Sequence, residues 1–230
     1  MLGRSTLSGR NLLLDTFEGV FTELRLPDGF NGPTRLVEAL RAAWDKHYLD
    51  LYEDERADVY EAFDDVLHAF GLPEDGVGHQ RYVYMAWSIA LAARPTLQYY
   101  FPDDPRPDFA LDSVRAWIES GIAVPVSVVE TLFSDYQTGA HTDAHDAYSA
   151  FDDLLKSLDE AQAYDAVQDI LDVAITADAL SPHYQAKREI FNWWLVDVVP
   201  SAYDLRLASF LYTMQGVVPC RLDMHAGRTR

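Results

Sequence analysis

Residues 34–48 read Thr-Arg-Leu-Val-Glu-Ala-Leu-Arg-Ala-Ala-Trp-Asp-Lys-His-Tyr. Leu36, Val37, Leu40, Ala43, Trp44, His47 and Tyr48 recur at the i, i+3, i+4, i+7 spacing of one helix face. Thr34 after Pro33 has the character of an N-cap. A second stripe follows in Val59, Tyr60, Phe63, Val66, Leu67 and Phe70. It is stopped by Gly71, with Pro73 just beyond. The same periodicity predicts helices near 11–25, 79–93, 108–120, 126–137, 143–158, 162–177, 184–197 and 202–215. Pro95, Pro102, Pro105, Pro107, Pro125, Pro182 and Pro200 punctuate them. No alternating run between turn residues suggests a hairpin. The expectation is an all-α single domain over 1–218, a bundle or stack of helical hairpins with about nine or ten helices. Residues 26–33 and 72–78 read as loops too short to link domains. Residues 219–230, including Cys220 and His225, read as a disordered basic tail.

Two segments share a signature. Residues 58–67 are Asp-Val-Tyr-Glu-Ala-Phe-Asp-Asp-Val-Leu and residues 146–155 are Asp-Ala-Tyr-Ser-Ala-Phe-Asp-Asp-Leu-Leu. Either two amphipathic helices converged on these letters or a helical unit was duplicated. In each copy Tyr and Phe lie three apart and are expected on the buried side, with the paired aspartates turned to solvent.

Each copy also lies in an acidic block. The chain of 230 residues carries a formal charge of −19. Residues 50–75 hold ten acids and one base, Arg56; residues 142–178 hold ten acids and one base, Lys156. The two blocks therefore account for nearly all of the net charge, and the rest of the chain is close to neutral. Such a distribution repels nucleic acid backbones and anionic membranes. The blocks are either ordinary solvated faces or parts of one surface for a basic partner, which would draw in a cationic protein and be weakened by salt. On the second reading Asp58, Asp64, Asp65, Asp146, Asp152 and Asp153 are the partner-binding residues, and both aspartate pairs lie on one continuous surface. A single cysteine excludes an internal disulfide framework and a multi-cysteine metal site. No apolar run is long enough for a membrane span, and the N-terminal residues are a poor signal peptide.

Residues 99–121 contain Phe101-Pro102-Asp103-Asp104-Pro105-Arg106-Pro107, followed by Ala110, Arg115, Ala116 and Trp117. Phe101-Pro102 closes one helix, Asp103 and Asp104 are placed to cap backbone N–H groups, and Arg106 is placed to tie the turn to a carboxylate or to exposed carbonyls. The segment resembles one in helical immunity proteins of bacterial polymorphic-toxin systems. There an aromatic-Pro-acidic turn runs into Asp-Pro-Arg-Pro and then a helix with an Arg-Ala-Trp element. The resemblance implies a cytoplasmic protein, not an enzyme, that binds and neutralises a cognate toxin without a cofactor. It implies no particular contact residue, and the segment itself reads as a stiff connection between helices.

Enzyme readings rest on fewer residues. His141 and His145 share a helix face at i, i+4 and are the pair a metal would use. No third ligand falls on that face nearby, and no metal is expected. Cys220 with His225 lacks a partner fixed by a predicted element. Trp193, Trp194, Tyr82, Tyr84, Tyr99 and Tyr100 read as core, or as the lining of a pocket in a small-ligand-binding or regulatory domain.

Overall fold

The structure, a computed structural model, describes residues 23–48, 50–53, 59–134, 142–176, 179–180, 187–214 and 216–220. Among these are eight helices and one two-stranded hairpin. The helices are α1 (Thr34–His47), α2 (Tyr60–Phe70), α3 (Gly78–Tyr100), α4 (Arg106–Ser120), α5 (Val126–Leu132), α6 (Thr142–Lys156), α7 (Ala163–Leu171) and α8 (Lys187–Trp193). A single helical turn, Asp50–Glu53, follows α1. α7 runs on through a π turn, Asp172–Thr176, and α8 through another, Trp194–Val198, into a last turn Val199–Tyr203. The helix count among the described residues is thus below the nine or ten that the sequence suggests, and the helix expected near 11–25 lies almost wholly outside them.

α3 is the axis of the fold. Its residues Tyr82, Val83, Met85, Ala86, Trp87, Ile89, Ala90, Ala92 and Ala93 are all essentially inaccessible. A helix apolar round its whole circumference must be covered on every side. α6 and α7 pack along it, with α4, the hairpin and the last turn of the α8 run completing the enclosure. α1 packs on α2, and α2 meets the body of the protein at α7 and through Phe63 on Trp194 and Phe70 on Tyr82 and Tyr203. Gly78 opens α3 because a Cβ there would stand 2.1 Å from the carbonyl oxygen of Leu72.

Three expectations are corrected. Pro95 does not end α3, which continues to Tyr100. Proline removes one ladder donor, but Thr96 and Leu97 just beyond it are buried and hold the turn in place, with Thr96 Oγ1 donating to the Ala179 carbonyl at 2.8 Å. Thr34 is the first helical residue; Pro33 occupies the cap position and no side chain caps α1.

The third correction concerns the C-terminal segment. The helix expected over 202–215 stops at Tyr203. Strands β1 (Phe210–Thr213) and β2 (Gly216–Pro219) pair antiparallel in its place, with Phe210 opposite Pro219. Buried Asp197 fixes the entry to β1. Its carboxylate accepts the backbone N–H groups of Ser209 and Phe210, each at 2.9 Å, and the Ser201 hydroxyl at 3.2 Å. Trp193 Nε1 donates to the Phe210 carbonyl. Pro219 and Cys220 consequently belong to the folded body: Cys220 is partly buried and its N–H donates to the Ser209 carbonyl at 3.0 Å. Residues 221–230 lie outside the described residues. Trp193, Trp194 and Tyr82 are buried, as their core reading expects, the last two against aromatic neighbours, whereas Tyr99 is exposed.

Asp197→Ala is expected to leave two backbone donors without their acceptor and to lower unfolding free energy by about 1–3 kcal/mol. Urea denaturation followed by tryptophan fluorescence measures it. An unchanged midpoint would show that the hairpin is held without Asp197.

Candidate functional site

The Asp-Pro-Arg-Pro turn between α3 and α4 is a closed polar knot. Phe101 caps α3, and Asp104 Oδ1 accepts the Arg106 backbone N–H at 2.9 Å. The Arg106 guanidinium then returns to the same carboxylate: Nε lies 2.9 Å from Oδ2 and Nη2 lies 2.6 Å from it. Arg106 also donates to the Tyr148 hydroxyl at 3.2 Å and towards the Leu132 carbonyl at 3.4 Å. Tyr148 in turn donates to Asp104. One arginine thereby joins the turn to α5 and α6. Burial alone would raise the Asp104 carboxyl. Hydrogen bonds from Arg106 and Tyr148 outweigh it and hold that carboxyl below the ordinary aspartate value. Burial, and then the neighbouring Asp104, push the Tyr148 hydroxyl up to about 12. Asp103 is exposed at the tip, and Pro107 is buried at the start of α4.

The two copies of the repeated signature occupy unlike settings. Phe63 and Phe151 are both fully buried, but Tyr60 is 49% exposed where Tyr148 is buried. The expectation that all four aspartates face solvent is corrected at Asp153, which is only 2% exposed, and at Asp152, whose side chain is mostly covered. The reason is packing: α2 is flanked mainly by α1 and α7, whereas α6 is pressed by α3, α4, α5 and α7. Asp65 is exposed, and the half-exposed Asp64 accepts the Tyr164 hydroxyl of α7 at 2.7 Å. Asp152 and Asp153 hold Lys156 at 2.9 and 2.8 Å. Asp146 is mostly buried beside His145 Nδ1 at 3.4 Å, and Asp58 lies outside the described residues. α7 separates the two aspartate pairs and packs against both helices, presenting Tyr164 to Asp64 and the charge of Asp169 to Asp153.

Burial raises the Asp153 carboxyl to about 6 even though Lys156 opposes the shift. Burial would lower Lys156, but Asp153 and Asp152 reverse that and hold it firmly protonated. His141 lies outside the described residues, so the His141/His145 pair has no geometry here. Among the described residues no three of His, Cys, Asp and Glu are grouped to hold a metal ion.

Beside Lys156 a cleft of about 640 Å³ opens where α3, α4, α5, α6 and the α6–α7 loop meet. Its apolar lining includes Trp117, Val124, Val129, Leu155 and Leu158; its acidic lining is Glu130, Asp152, Asp159 and Glu160. His79 forms one wall, donating from Nε2 to the Ser157 carbonyl at 2.9 Å, with its ring edge-on to Trp117 at 4.8 Å. Sequence reading singled out Trp117 and Asp152, but for other roles. It had no signal for the cleft, because His79, Val124 and Leu158 come together only through tertiary packing. Comparison of the chain with protein-family models, curated proteins and solved structures finds no match in any of the three.

Two measurements probe these groups. Arg106→Ala should cost about 1–3 kcal/mol of stability, because it takes the cation away from a mostly buried carboxylate that keeps only the Tyr148 hydroxyl; an unaltered melting temperature would mean that the knot contributes nothing to folding. Asp153 predicts a pH effect of definite sign. Its folded carboxyl binds a proton more readily than an unfolded one, so between pH 4 and 6 the folded state holds more protons and stability falls as pH rises. Asp153→Asn should flatten that decline, with a difference approaching about 2–3 kcal/mol by pH 7. Urea titrations at each pH read it directly, and parallel curves for the two proteins would refute the assignment.

Proposed function

We propose that this protein is an immunity-type inhibitor: it acts in the cytoplasm by binding a cationic protein toxin, and catalysis is no part of its role. The observation that carries this reading is the segregation of charge. Two blocks hold almost the entire net charge of −19, and α7 lies against both helices that carry their repeated aspartates. Tyr164 on α7 engages Asp64, and Asp169 on the same helix acts electrostatically on Asp153. α7 adds Asp165, and the π turn after it adds Asp172; both raise the Asp169 carboxyl, after burial, which is the largest cause. The acids of α7 and α6 thus act on one another, and Tyr164 ties the Asp64 of α2 to the same helix. A field of this kind accelerates encounter with a basic protein and competes for the cationic surface a nuclease uses on its substrate.

The resemblance of residues 99–121 to helical immunity proteins points the same way, and Phe101, Pro102, Asp104, Arg106 and Pro107 have a structural part in it. Among the described residues no helix is long and apolar enough to cross a membrane. Asp153 is withdrawn from the partner-binding set because it is buried; Asp64 and Asp65 remain, with Asp146 and Asp152 mostly covered.

The test is co-purification with the protein encoded beside its gene, followed by stopped-flow association at rising salt. The expected partner is basic, and association slows steeply with ionic strength because exposed charges are screened over about 8–10 Å. Asp65→Lys combined with Asp165→Lys should slow association without shifting the melting temperature, since exposed charges add little to stability. A partner whose association ignores both salt and charge reversal would overturn the reading.

A further inference from the structure

The geometry points to the cleft at the α3–α4–α5–α6 junction as a binding site for a small organic cation, an amine carried on an aromatic body. This inference rests on the cleft and not on the outer acidic face of the toxin-binding reading, with Asp152 the one lining residue common to both, and would survive that reading's failure.

The volume, about 640 Å³, lies within the range of small-molecule sites, and the site is built as such sites are. Four helices and a loop each supply lining residues, so the recess belongs to the packed body and is not a groove along one helix. Its apolar lining accepts a ring. Trp117 among these residues supplies an indole, the side chain that best attracts a cation placed over its face.

The charge of the lining decides the class of ligand. Glu130, Asp152, Asp159 and Glu160 bring four carboxylates, against one ammonium. That ammonium, Lys156, is already held by both Asp152 and Asp153, so its charge is matched before any ligand arrives. Asp169 of α7 adds a further carboxylate near Lys156. His79 has its Nε2 proton committed to the Ser157 carbonyl. The recess therefore presents a net negative field over an apolar floor, which repels carboxylates and phosphates and attracts an ammonium. Asp159 is held in place by the Ala161 backbone N–H at 3.1 Å and by Gln162 Nε2 at 2.8 Å, so the acidic rim is partly preorganised.

Isothermal titration of the whole protein distinguishes the possibilities. The probes are 2-phenylethylamine, its neutral analogue 2-phenylethanol, the anion 3-phenylpropionate, and N-acetyl-lysine amide. The amine should bind about tenfold or more tightly than the alcohol, and the anion should show no heat of binding. N-acetyl-lysine amide should bind about tenfold more weakly than the amine. Glu130→Gln with Glu160→Gln, both exposed positions, should remove the preference for amine over alcohol. Ala123→Trp, at an exposed position on the lip, should block all binding while circular dichroism stays native. Equal binding of amine and alcohol would overturn the cationic class. Equal binding of N-acetyl-lysine amide would mean that the recess takes a protein's basic side chain instead. Absence of binding by any probe at millimolar concentration would overturn the site itself.

Discussion

Every residue of α3 from 85 to 93 is buried, round the full circumference of the helix, so this middle stretch of the 23-residue element has to be enclosed. Burial of apolar surface is the dominant favourable term in folding, and here one element demands neighbours on every side. α6 and α7 cover much of it, α4 and β1 pack against it, and the last turn at Val199–Tyr203 closes it off. Two buried hydroxyls of α3 are matched, although Trp87 Nε1 and Arg94 Nε on the same helix have no hydrogen-bond partner among the described residues. Ser88 Oγ donates to the Tyr84 carbonyl and accepts the Ala208 N–H, and Thr96 bonds to the Ala179 carbonyl. Even Pro95 is carried inside this helix, because the enclosure outweighs the loss of one ladder bond.

The polar features are arranged round that enclosure. The Asp104–Arg106–Tyr148 knot sets how α4 leaves the end of α3 and ties it to α6. Asp197 performs the matching task at the other end of the chain, where it anchors β1. Each is a carboxylate that accepts several donors, and each replaces what would otherwise be a mobile connection with a fixed one. The cleft is the space left where α4, α5, α6 and the α6–α7 loop diverge, so its shape follows from these fixed connections.

Charge and burial come into conflict at α6. The same letters, Phe-Asp-Asp, stand in α2 and α6, but α2 is covered on fewer sides. Asp65 therefore stays in water, while its counterpart Asp153 is buried and needs Lys156. A buried carboxylate without such a partner would be strongly destabilising. The one lysine of the second acidic block is thus spent internally, which leaves the surrounding carboxylates to set the field in the cleft.

Much of the helical architecture was legible in the sequence. The 3.6-residue stripes of Leu36–Tyr48 and Val59–Phe70, the stop at Gly71 and the Asp104–Arg106 turn are local in origin, because spacing and backbone preference act over a few residues. The acidic blocks and the absence of a disulfide framework were equally plain, since they are properties of composition. Tertiary structure alone decided the rest. Only packing carries a helix through Pro95, turns 210–219 into a hairpin on Asp197, and buries Asp153 but not Asp65. The cleft likewise draws His79, Trp117, Val129 and Asp159 from four separate segments of the chain. Such juxtapositions leave no trace in local periodicity, because they depend on which faces of which helices meet.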